Sequence, residues 1–116
     1  MKTYFSFAVA DSMFPATCTV RCQPLTVEQV QDIIVAADVV SACNTSHAPT
    51  IDAMRERFGL TVDVPIKPPL VALQPGDRIV VMSVRGLPRL EGRHEYTPEE
   101  IESASFAFGL WTVATD

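Results

Sequence analysis

Glycine is scarce in this chain, five in 116 residues, and none of the five stands in a spacing that builds a phosphate cradle. The Gly-x-Gly-x-x-Gly turn of dinucleotide folds and the Gly-x-x-x-x-Gly-Lys loop of nucleoside triphosphatases are both missing, which excludes those two architectures. No Gly-x-Ser-x-Gly nucleophile elbow occurs either. Histidine appears twice and cysteine three times, without the paired spacings of a zinc site. Positive charge is short as well: nine Lys and Arg against fourteen Asp and Glu leave a net charge of −5. Bulk attraction to duplex DNA is therefore disfavoured, although a small anion can still bind where a few cations cluster. No apolar run approaches the roughly 20 residues that cross a bilayer. The apolar stretch at residues 4–10 follows Lys2 and sits at the short limit of a secretory signal core. It reads instead as a first strand buried on both faces, and an intracellular, cytoplasmic location is expected.

Three cysteines cannot all pair within one chain. Cys18 and Cys22 on one strand would face the same side about 13 Å apart, at roughly 3.3 Å per residue. A disulfide needs Cα atoms within about 7 Å, and one metal could not be shared across that gap. Free, buried thiols are expected, as suits a reducing compartment. Cys43 with His47 suggests a nucleophile–base pair, but no third group orients them and the pairing is set aside.

What the chain does contain is a single domain's worth of alternating strands and helices, residues 1–116. After the first strand, residues 11–15 form a connection and residues 16–23 a second strand that Pro24 stops. Thr26 with Gln29 makes a capping box for a helix whose apolar face is Val27, Val30, Ile33, Ile34 and Ala37, ending at Asp38. Residues 39–43 read as a short strand. Ile51, Met54 and Phe58 mark the buried face of a second helix, with Arg55, Glu56 and Arg57 on its wet side and Gly59 as a left-handed stop. Its start is either Ser46 as N-cap or Ala48 preceding Pro49 as first helical residue. Residues 60–66 and 70–73 suggest further strands, separated by the rigid Lys67-Pro68-Pro69 corner. A turn at residues 74–77 leads to the clearest strand, residues 78–84. A loop follows, then a Thr97/Glu100 capping box with a short helix at 98–103, and a closing strand at 105–114. The expected fold is α/β (α+β): one mixed sheet of five or six strands, two main helices and a short third. Phe106, Phe108 and Trp111 are expected in the core or a dimer contact.

Two clusters carry candidate chemistry. Asn44-Thr45-Ser46-His47 with Thr50 is rich in donors at a helix start, where unpaired N–H groups and partial positive charge receive phosphates. His47 there is either an exposed loop histidine or a general acid. Arg85, Arg89 and Arg93 lie on one loop and either grip phosphate bidentately or pair with Glu91, Glu95, Glu99 or Glu100. His94 reads as exposed.

The order of these pieces resembles the viral type III anti-CRISPR ring nucleases, a family of small dimeric α/β proteins. Ser46-His47-Ala48-Pro49-Thr50 matches the family's Gly-His-x-x-Thr helix start, Arg89-Leu90-Glu91-Gly92 its arginine loop, and Ser12-Met13 its turn after the first strand. Ser46 stands where the family has Gly, Phe7 and Ala10 where it has Asn and Ser, and Lys67-Pro68 where it has Asn-Arg. The resemblance implies a homodimer that binds cyclic tetra-adenylate across its two-fold and opens it without a metal or other cofactor. By that resemblance His47, Arg89 and Glu91 are the catalytic set, and Ser12, Met13, Ser46, Thr50, Lys67 and Arg85 hold ligand. A sequestering protein that binds without cutting, and a host-protein-binding dimer with its pocket lost, are the competing expectations.

Overall fold

The computed structural model describes every residue except Arg89, Arg93, His94 and Asp116, so the expectations for those two arginines and for His94 lie outside the described residues. The chain forms β1 (Thr3–Ser6), β2 (Val20–Leu25), α1 (Val27–Ala36), β3 (Val39–Ser41), α2 (Ala48–Phe58), β4 (Arg78–Arg85), α3 (Pro98–Ser103) and β5 (Ser105–Val113). One mixed sheet runs β2-β5-β4-β1-β3. β1 is parallel to both β3 and β4, while β5 is antiparallel to both β4 and β2. This is an α+β fold with five strands and three helices among the described residues, as the sequence indicates.

Side-chain alternation divides the core between the two faces of this sheet. Phe5, Val80, Met82, Phe108 and Leu110 point to one face and pack with Val30 of α1 and Ile51 and Met54 of α2. Tyr4, Ile79 and Val113 point to the other, under Val71 and Leu73, with Met13, Phe14 and Trp111 against them. The helices thus cover one face and irregular chain covers the other. Each fully buried aliphatic or aromatic side chain contributes about 1.5–3 kcal/mol.

Both capping boxes form. Thr26 Oγ1 accepts from Gln29 N–H and the Gln29 side chain accepts from Thr26 N–H, and Thr97 and Glu100 repeat the pattern. Gly59 closes α2 at φ 73°, a left-handed position that an L side chain rarely adopts. α1 stops at Ala36, short of Asp38.

Several expectations are corrected. β1 ends at Ser6 rather than residue 10, because its partner β3 is only three residues long and the β4 ladder ends at Val81. β2 begins at Val20 and runs through Pro24, which pairs with Gly109. Proline is tolerated there because β2 is an edge strand with no second neighbour to receive an N–H. Residues 60–66 and 70–73 are not strands. Their alternation is real, since Leu60, Val62, Val71 and Leu73 are buried while Thr61, Asp63, Leu70 and Ala72 are exposed. The side chains enter the core, yet the backbone joins no ladder, and Pro65, Pro68 and Pro69 remove donors from the segment. Cys18 and Cys22 are exposed; only Cys43 is buried, because the edge strand leaves its flank uncovered. Arg57 is not simply solvated. Its guanidinium donates to the carbonyls of Ile101 (3.0 Å) and Ala104 at the end of α3 and lies over the rings of Phe58 and Phe106.

Asp77 fastens the sheet's lower end. It is only 5% exposed, and its carboxylate accepts from Lys2 N–H at 2.8 Å and Gln74 N–H at 2.9 Å. Burial acts to raise its pKa, but the two N–H donors and the nearby Lys2 charge outweigh that and hold it below 3.8. A carboxylate with a depressed folded-state pKa stabilises fully above the unfolded value and loses that contribution as pH falls through the folded one. Asp77→Asn leaves one N–H facing an amide group and is expected to cost about 1–3 kcal/mol at neutral pH. In urea titrations the gap between wild type and variant should narrow below pH 3.8.

Candidate functional site

The parallel arrangement sends β1, β3 and β4 to the same end of the sheet, and the chain passes from β3, on one side of β1, through α2 to β4 on the other. In open α/β sheets the crevice outside the carboxyl ends of such strands is where ligands bind. At that end lies a hollow of about 310 Å³ lined by Phe7, His47, Thr50, Met82, Ser83 and Val84. Phe7 comes from just past β1, Ser83 and Val84 from the end of β4, and His47 and Thr50 from the start of α2.

His47 is placed by its own backbone neighbourhood. Residues Thr45–His47 make a single 3-10 turn, and His47 is also the N-cap of α2, with Ala48 as first helical residue and Pro49 next. Asn44 caps the turn: its Oδ1 accepts from Ser46 N–H at 2.9 Å and from the Ser46 hydroxyl. In return Asn44 N–H donates to Nδ1 of His47 at 3.2 Å. The imidazole thus occupies the place a Glu or Gln takes in an ordinary capping box. Because Nδ1 is an acceptor, the neutral ring carries its proton on Nε2. Nε2 has no hydrogen-bond partner among the described residues and is the nitrogen left for the hollow. The Phe7 ring lies against the imidazole, centroids 4.4 Å apart and planes tilted by 57°. Burial lowers the His47 pKa below its ordinary 6.5, since the charged form loses water.

The residues named from sequence are only partly brought together. His47 and Thr50 share the hollow. Ser46 is exposed and engaged with Asn44. Arg85 is exposed at the end of β4, one residue beyond Val84. Glu91 and Lys67 are exposed on the loops that precede α3 and β4. Ser12 is exposed, while Met13 packs on the opposite sheet face with Tyr4 and Leu73, and its carbonyl accepts from Leu73 N–H at 2.7 Å. Cys43 is fully buried and its thiol is pushed up by burial, against the smaller effect of the Ser41 hydroxyl, which removes it as a nucleophile. Among the described residues no three His, Cys, Asp or Glu side chains gather as a metal site, and no helix is long and apolar enough to cross a membrane.

Met82, Ser83 and Val84 were not legible as site residues, and Phe7 was marked only through the resemblance, as standing where the family has Asn. Met82 and Val84 read only as strand apolars. Phe7 reads as more of a strand that the structure ends one residue earlier. A second hollow, about 330 Å³, lies beside α2 near Glu95 and Tyr96; two of its charges, Asp52 and Arg55, pair with each other at 2.8 Å.

A single mixed sheet with a histidine-bearing hollow at the carboxyl ends of three parallel strands defines a small α+β class. Within it, the profile of the STIV B116-like family matches residues 6–108, and the chain belongs to that family. Among solved structures it is similar to B116 of Sulfolobus turreted icosahedral virus (STIV), with a TM-score of 0.70 at 16% sequence identity over 97% of this chain and 99% of that one. At that identity the likeness is one of fold. No curated protein sequence matches it significantly.

The titration of His47 is open to measurement through stability. A histidine whose folded-state pKa is depressed stabilises fully above the unfolded value, near 6.5, and loses that contribution as pH falls through the folded one. Wild type is therefore expected to lose stability relative to His47→Gln below pH 6.5 and to run parallel to it above. Paired denaturant titrations across that range check this.

Proposed function

We propose that this protein binds a cyclic oligoadenylate second messenger and opens it to linear products, as a ring nuclease that counters type III CRISPR signalling. The observation that carries this reading is the His47 arrangement: an imidazole fixed by Asn44 N–H, with Nε2 left to a hollow at the open end of α2. It coincides with the Gly-His-x-x-Thr resemblance at residues 46–50. The helix start offers N–H groups to a phosphate, and Thr50 offers a hydroxyl from one turn along.

In the proposed step a ribose 2′-oxygen bonds to the adjacent phosphorus as the phosphorus–O5′ bond breaks. The 2′-hydroxyl proton passes to solvent, and O5′ takes the Nε2 proton of the His47 imidazolium. That leaves the ring protonated on Nδ1 and its contact with Asn44 N–H open until the tautomer exchanges with solvent. The products are a 2′,3′-cyclic phosphate and a 5′-hydroxyl. Arg85 and Arg89 are assigned to phosphate, Glu91 to orienting Arg89 or a ribose hydroxyl, and Ser12, Met13, Ser46 and Lys67 to the ligand's periphery across a homodimer two-fold. Met13 packs its side chain on the opposite face and its N–H and C=O are bonded to Ala10 and Leu73, which leaves the exposed Ser12 as the group of that turn for the task. A second reading, sequestration without cleavage, is favoured by one observation: Phe7 gives the hollow an aromatic wall where the resembling family carries a polar side chain.

Purified protein incubated with a panel of cyclic oligoadenylates is expected to yield linear products, and His47→Ala to slow the reaction about 10²–10⁴-fold. Absence of linear product from every member of the panel sinks the enzyme reading; tight calorimetric binding with the ligand recovered intact then supports sequestration. Because the acid must be protonated, kcat/KM of the wild type should fall as pH rises through an apparent pKa below 6.5. Light scattering is expected to return twice the monomer mass, and a monomer would remove the two-fold from the proposal.

A further inference from the structure

We infer that Phe7 is a positioning residue for His47, its ring holding the imidazole in the Nε2–H form and keeping water from one of its faces. The inference goes beyond the ring-nuclease reading and rests on it only for its consequence in catalysis.

Two contacts fix the imidazole from different sides. Asn44 N–H donates to Nδ1 at 3.2 Å, and Phe7 lies against the ring at 4.4 Å between centroids. The hydrogen bond selects the tautomer only while the ring keeps that orientation, and by itself it allows the ring to swing about the contact. The aromatic contact removes the freedom, since moving the imidazole would drive it into Phe7. Phe7 is itself braced: it stands edge-on to Phe5 at 6.3 Å, planes at 80°, and Phe5 is wholly buried. A half-buried ring backed by the core is a firmer wall than a loop side chain.

The surroundings of His47 supply little else that would set its charge. Of the residues lining the hollow, only His47 titrates near neutrality; Phe7, Thr50, Met82, Ser83 and Val84 do not. β4 brings Arg85 just beyond the lining. α2 brings Asp52, already paired with Arg55. The connection from β3 to the turn brings Cys43, buried and with its thiol pKa raised by that burial. β1 carries no charged side chain. Protonating His47 puts a hydrogen on Nδ1 opposite Asn44 N–H, so the same geometry disfavours the imidazolium until an anion enters the hollow. A bound phosphate would reverse this, and the proton donor would then be charged mainly in the complex.

The test uses the full chain without ligand. The His47 ring resonances, assigned with a His47→Gln variant, are followed by NMR against pH in wild type, Phe7→Asn and Phe7→Tyr, with ¹⁵N shifts reporting the tautomer. Wild type should titrate below 6.5 with one tautomer. Phe7→Asn should titrate higher and populate both tautomers, and Phe7→Tyr, which keeps the ring, should behave as wild type. If Phe7→Asn does not fold, Phe7→Leu carries the test: it preserves bulk toward Phe5 but lacks the ring, and His47 should again move upward. Identical His47 titration and tautomer in wild type and in the non-aromatic variant that folds overturns the inference. That result leaves the cleavage assay untouched, so failure here is distinct from failure of the ring-nuclease reading.

Discussion

β1 is held on both sides by parallel partners, and the candidate site is a consequence of that pairing. Thr3, Tyr4 and Phe5 register with Val39, Val40 and Ser41 of β3 and with Arg78, Ile79 and Val80 of β4. Parallel strands cannot be joined by a tight turn, so the chain must cross over, and α2 is the crossover between β3 and β4. The crossover puts the start of α2 at the end of the sheet where β1 and β4 also finish. His47, Phe7 and Val84, far apart in the chain, are brought to one hollow by this requirement.

Within that frame, chemistry is set by a very local device. Asn44 and His47 satisfy one another's polar groups across a single 3-10 turn, so a helix-capping arrangement becomes the means of choosing which imidazole nitrogen meets the solvent. The cap is modest in energy, about 1 kcal/mol for a typical N-cap side chain, but its effect on the tautomer is qualitative. An acceptor at Nδ1 makes Nε2 a donor toward the hollow. Tertiary packing adds what the cap cannot, the Phe7 wall and partial exclusion of water.

The elements legible in the sequence are those whose determinants sit within a turn of one another. Thr26 with Gln29 and Thr97 with Glu100 fix the starts of α1 and α3 through bonds spanning three residues. Gly59 fixes the stop of α2 by its own φ. The apolar spacing of Val30, Ile51 and Met54 shows which helix faces are buried. Alternation of buried and exposed side chains does not by itself imply strand pairing. Leu60, Val62, Val71 and Leu73 alternate with exposed neighbours and bury as a strand's side chains would, but a ladder needs a second backbone, and these segments lack one. Pro24 misled in the opposite sense, because an edge strand has no use for the N–H that proline lacks.

The candidate site divides along the same line. The histidine, its helix start and Thr50 were visible together because they lie on consecutive turns of one segment, whereas Phe7, Ser83 and Val84 join them only through strand order. Sequence by itself determined the helices, the capping boxes of α1 and α3, the class of fold and the presence of a histidine at the start of α2, all of which follow from local backbone bonding and side-chain period. Only the tertiary structure decided which segments pair, where β1 ends and what faces the imidazole, because strand partners and contacting rings are chosen by burial and by hydrogen bonds between residues distant in the chain.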